Sequence, residues 1–140
     1  MESNLNYQFF EHTADIGVIV EGKTIEELIS NLVLVFSDLT TDIEKLDNSI
    51  EMVISVNGKD LEDAIIRLIE EVIFIFETKK FLPKECSILL EDKRITSRMK
   101  GDRFDLSKHN PKFIIKAITY HQFKLQKDND KYILKAVFDV

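Results

Sequence analysis

The chain has 140 residues, 44% of them hydrophobic and 31% charged, a size and balance suited to one globular domain around one core. Its 25 acidic residues outweigh 19 basic ones for a net charge of −6, which argues against strong direct binding to a polyphosphate backbone. Cys86 is the only cysteine, which excludes an internal disulfide and a cysteine-built zinc site. The polar, acidic N-terminus and the lack of a bilayer-length apolar run add the expectation of a soluble, cytoplasmic protein with no membrane partner.

Leu5 to His12 and Ile16 to Gly22 read as two short strands, rich in aromatic and β-branched residues and joined by His-Thr-Ala-Asp. Thr24-Ile25-Glu26-Glu27 has the form of a capping box, so a helix is expected from there. Ile25, Leu28, Ile29, Leu32, Val33, Phe36 and Leu39 supply its apolar stripe. Ile50 to Val56 is a strand, Asn57-Gly58 a turn, and Asp60 the N-cap of a second helix. In that helix Ile66, Phe74 and Ile75 widen the apolar stripe beyond what one sheet face needs, which predicts a helix buried on two sides. Pro83 should end the connection before four further strands, Cys86 to Glu91, Arg94 to Arg103, Lys112 to Leu125 and Tyr132 to Val140. The third of these is long enough to carry a bulge. Asp128-Asn129-Asp130 lacks the remaining ligands and the glycine of an EF-hand loop, and reads as a hairpin turn. The order ββαβα followed by four strands predicts an α+β fold, with two helices packed against mostly antiparallel β-sheet in a single domain over residues 1–140.

No Gly-rich phosphate loop, Gly-x-Ser-x-Gly elbow or His-Glu-x-x-His pair is present, so no familiar enzyme class is legible. His12, His109 and His121 read first as hydrogen-bonded structural residues. Asp15 reads as a turn carboxylate held in place, with Gly17 letting the chain bend close by; it could equally cap its own backbone amides. At the other end Asp139 and the α-carboxylate of Val140 lie within one residue of each other. The alternation of Tyr132, Leu134, Ala136 and Phe138 carries the last strand almost to that point. Were that strand end to lie beside Asp15, three acidic groups would converge. Oxygen donors without His or Cys favour calcium or magnesium.

The stretches "FEHTADIGVIVEGKTIEEL", "NGKDLEDAIIRLIEEVIFIFE", "KGDRFDLSKHNPKFIIKAITYHQF" and "VFDV", in this order and nearly end to end, resemble the archease family. The resemblance implies that Asp15, Asp139 and Val140 are the metal-site residues, with calcium as the ion. It also implies a partner, an RtcB-type RNA ligase of tRNA splicing. The ligase's guanylylation and repeated turnover would be promoted, and its choice of nucleotides broadened, by a protein with no catalysis of its own. His12, Lys116 and His121 are then candidates for orienting the tip from behind the metal residues. The second helix departs from the family at Leu68 and Glu70, where a tryptophan and an asparagine are usual, and Ile118 is a conservative exchange in the Lys-Ala-x-Thr-Tyr-His run. Two other classes stand beside this one. One is a metal-dependent enzyme using the carboxylates as a Lewis-acid site. The other is a general chaperone or modulator of nucleic-acid enzymes working through the apolar face around Ile66, Phe74 and Ile75.

Overall fold

In a computed structural model the described residues are 5–10 and 15–140. Strand β1 (Tyr7–Phe10) pairs with β2 (Asp15–Gly22), and helix α1 (Ile25–Thr40) follows. A 3-10 turn (Ile43–Lys45) leads to β3 (Ile50–Asn57), helix α2 (Leu61–Lys79), β4 (Phe81–Glu91), β5 (Arg94–Arg103), β6 (Ala117–Asp128) and β7 (Lys131–Asp139). The strands form two sheets, one of order β1-β2-β7-β6 and one of order β3-β5-β4, with antiparallel pairing throughout. The expected α+β architecture is therefore present.

Both helices start where the sequence places them. The Thr24 hydroxyl accepts from the Glu27 amide at 3.0 Å, and the Asp60 carboxylate accepts from the Asp63 amide at 2.8 Å, so each satisfies an amide the helix itself leaves open. α2 ends in the left-handed residue Lys80, whose amide returns to the Phe76 carbonyl.

Helix α1 packs on β2 and β4, while α2 packs on β3, β5 and β6, so each helix touches both sheets. That arrangement accounts for the wide stripe of α2: Ile66 is fully buried and Ile75 nearly so, leaving only Phe74 of the three at the surface. The apolar docking face expected around Ile66, Phe74 and Ile75 does not exist, because two of its members are core. Leu68 is likewise fully buried, so the departure at that position is an exchange inside the core, while Glu70 is exposed.

Further sequence expectations need correction, the first being the strand expected over Lys112 to Leu125, which begins only at Ala117 and runs to Asp128. Pro83 does not precede the strand but lies within β4, beside a register shift between Pro83 and Glu85. An edge strand tolerates a proline because one side of its ladder is empty. Asp15 and Gly17 belong to β2 and not to a turn. The role of Gly17 is space: a Cβ there would run into the ring of Phe10, its cross-strand partner. The bulge expected in the long penultimate strand is present, between Thr119 and Lys124, with Gln122 at a φ of 60°.

Candidate functional site

The pleat decides which way the acidic residues of β2 and β7 point. Val18 and Val20 of β2, with Leu134, Ala136 and Phe138 of β7, are fully buried against the helices, so the alternate residues face outward. Asp15 and Asp139 are among those alternates, and the register sets them directly opposite each other, with Ala117 of β6 completing the row. Two carboxylates in that relation sit on the same face of the sheet with Cβ atoms about 5 Å apart, an arrangement that like charge makes unfavourable on its own. Both side chains are half-buried, as is Val140 immediately after. The sequence-predicted trio thus shares one end of one sheet.

The candidate supporting residues divide. Lys116 is exposed, and its backbone amide donates to the Asp139 carbonyl at 2.8 Å, which continues the pairing past the end of β6. His121 is exposed inside the bulge of β6. His12 lies outside the described residues. Among the described residues no three His, Cys, Asp or Glu side chains converge as a metal cluster. Asp15 and Asp139 are two carboxylates, and the third donor implied for the site, the α-carboxylate of Val140, is not a side chain.

The same bulge frees Tyr120 from the ladder. Its hydroxyl donates to Asp63 Oδ1 at 2.8 Å, tying β6 to the first turn of α2. The Lys59 amide bonded to Asp63, together with Tyr120 and Arg67, holds this carboxyl down at about 2.

His109 turned out to be a buried residue with a defined structural task, about 1% exposed. Its Nδ1 accepts from the Asp105 amide at 3.0 Å, and its ring stacks on Phe104 with centroids 5.8 Å apart. Because Nδ1 is an acceptor, the proton of the neutral ring is assigned to Nε2, which stands 3.3 Å from Asp102 Oδ2. That contact is an electrostatic one without hydrogen-bond alignment, since Nε2 has no hydrogen-bond partner among the described residues. Burial opposes the Asp102 charge, yet the Asp47 and Arg103 amides, helped by His109 and Lys108, outweigh it and hold the carboxyl below its usual range.

The segment from Phe104 to Lys116 is fastened along its length. Thr41 Oγ1 donates to the Asn110 carbonyl, the Lys112 and Phe113 amides donate to the last carbonyls of α1, and Lys116 reaches Asp139. It therefore connects the His109 region to the acidic end of the sheet. Beside it runs a groove of about 900 Å3 that sequence reasoning missed, because its walls come from α1, α2, β5 and this segment together.

The archease protein family model matches residues 7–140. A Pyrococcus furiosus archease is 32% identical over 119 residues, covering 82% of this chain and 84% of its own length. An archease-like protein of Dictyostelium discoideum is 33% identical over 121 residues, covering 82% and 80%. Among solved structures, a Thermotoga maritima archease described as a possible chaperone aligns with a TM-score of 0.69 at 27% identity, covering 94% of each chain. A Methanobacterium thermoautotrophicum protein shares the fold with a TM-score of 0.82 at 22% identity, covering 96% of this chain and 98% of its own. With both acidic strand ends, the Lys116 to His121 run and both helices inside the matched span, the chain belongs to the archease family.

Proposed function

We propose that this protein is a non-catalytic cofactor of an RtcB-type RNA ligase, acting in the cytoplasm to promote guanylylation of the ligase and its repeated turnover in tRNA splicing and RNA repair. The supporting observation is the row that sets Asp15 opposite Asp139 at one end of the sheet, in a chain of the archease family. The donor chemistry fits a hard divalent cation. Two carboxylates held side by side gain from a positive charge between them, and Val140 follows at once with the α-carboxylate that the resemblance implies. Asp15, Asp139 and Val140 would hold calcium, which when bound supplies positive charge and open coordination positions to an acidic surface.

The chain's own part is to position these groups. The β2–β7 register fixes Asp15 against Asp139, and the Lys116 amide anchors the Asp139 backbone from the other side. Half-burial limits the motion of both carboxylates, so a partner meets a preset array. An acidic protein that touches the ligase and not the RNA needs no polyphosphate-binding surface, in keeping with the net charge of −6.

The test is RNA ligation by the cognate ligase with RNA in large excess, comparing no addition, this protein and Asp15→Ala. Conversion of a stalled first round into repeated turnover by the unmodified protein alone is the expected result. Equal turnover in all three reactions rejects the reading. A general chaperone role, for which the description of the Thermotoga relative speaks, is the second reading. It predicts suppression of aggregation of unrelated unfolded proteins, unchanged by chelator.

A further inference from the structure

Outside the acidic tip, the most distinctive surface is the groove beside residues 104–114. Leu106 is 73% exposed, Ile114 80% and Phe113 43%, although each of them is a large apolar side chain. They cluster along one groove whose floor includes Phe76 and Phe104. Isolated apolar side chains on a surface are ordinary, but several lining one cleft mark a contact site.

The apolar residues are held out by the backbone. The Phe113 amide donates to the Leu39 carbonyl at 3.0 Å and the Lys112 amide to the Thr40 carbonyl at 2.9 Å. Asp105 and His109 close the other end of the segment on each other through two hydrogen bonds. A partner meeting Leu106, Phe113 and Ile114 therefore loses little to ordering them.

The charges of the groove run against those of the chain. Lys80, Arg103 and Lys108 line it, and none of the three forms an ion pair with a described residue. Of the two acids of the lining, Asp102 is buried and Asp105 is exposed, and both accept hydrogen bonds from the chain itself. Asp102 accepts from the Asp47 and Arg103 amides, and Asp105 accepts from the amide and hydroxyl of Ser107. The groove thus offers an apolar centre with a positive rim on a protein whose net charge is −6. Complementarity asks for aliphatic or aromatic side chains flanked by carboxylates.

We infer that this groove is a docking site for an acidic, apolar peptide segment of a partner protein, distinct from the acidic tip that Asp15 and Asp139 form. The groove leads toward that tip, since Lys116, two residues after Ile114, bonds to the Asp139 carbonyl. A segment seated here would anchor its parent protein beside the tip. The inference does not depend on that parent being a ligase.

The test selects from a random dodecapeptide display library on the full chain, then measures a synthetic copy of an enriched peptide by fluorescence anisotropy. The expected peptides combine Asp or Glu with Leu, Ile or Phe. Ile114→Ser and Arg103→Glu, both surface changes, should each weaken binding about tenfold, with circular dichroism unchanged. Leu89→Ser, at an exposed position on β4 outside the groove, should leave it intact. Four results overturn the inference: no enrichment, enriched peptides without acidic residues, binding that survives both groove variants, or displacement of the peptide by a uridine dodecanucleotide.

Discussion

Asp102 and the Asp15–Asp139 row are both carboxylate sites next to the core, and they handle charge in opposite ways. Asp102, with about 6% of its surface exposed, accepts from the amides of Asp47 and Arg103 and lies 3.3 Å from His109 Nε2. Asp15 and Asp139 face outward, each set beside another acid by the strand register. In the first arrangement the carboxylate is held by amides of its own chain, which stabilises the fold. The second sets two carboxylates side by side on one face of the sheet, the place where the proposed cation would bind. The contrast separates a carboxylate held by amides of its own chain from a pair for which a recognition role is proposed.

The largest expected effect lies on the structural side of that contrast. His109→Ala removes a buried ring stacked on Phe104 and the acceptor for the Asp105 amide, and should cost about 3 kcal/mol in urea-induced unfolding. A loss under about 0.5 kcal/mol would mean that the 104–116 segment is held by other contacts and that the Asp102 site is not the anchor.

At the recognition side, calcium at a hundredfold excess over its Kd should stabilise the protein by about 2.7 kcal/mol in thermal unfolding. Asp139→Asn should abolish that gain. In chelator the same variant should be as stable as the unmodified protein or more so, by up to about 1 kcal/mol, because a like-charge neighbour is gone. Destabilisation by Asp139→Asn in chelator would break the contrast.

Acid titration sharpens it further. The folded-state pKa of Asp102 is depressed, so its contribution is full above the unfolded value of about 3.9 and fades as pH falls through the lower folded value. Asp102→Asn should therefore flatten the stability profile below about pH 4 while lowering the plateau above it. An unchanged acid limb would show that Asp102 carries no such linkage.

Tyr120→Phe should have the smallest effect, lowering the Tm by about one or two degrees, since the bond to Asp63 is exposed to solvent. With Asp63 held at about 2, the difference between this variant and the unmodified protein should persist down to about pH 3.

The helices, their caps and the β5 limits were legible because each is a local pattern: a capping side chain, a 3.6-residue stripe, alternation between turn signals. Asp15 was legible as an acid of interest but was assigned to a turn. Its place in β2 depends on β7, which lies more than a hundred residues away in the chain. His109 read as a structural residue, yet nothing local shows that the Asp105 amide donates to its Nδ1 or that its Nε2 lies beside Asp102.

The sequence by itself determined the elements, the family and the acids of interest, because periodicity, capping and motif order are carried by neighbouring residues. Only the tertiary structure decided which apolar residues are core and which are surface. Ile66 and Ile75 vanish between two sheets, while Leu106, Phe113 and Ile114 stand exposed along a groove. Burial depends on what packs from elsewhere in the chain, and cross-strand register alone sets Asp15 against Asp139.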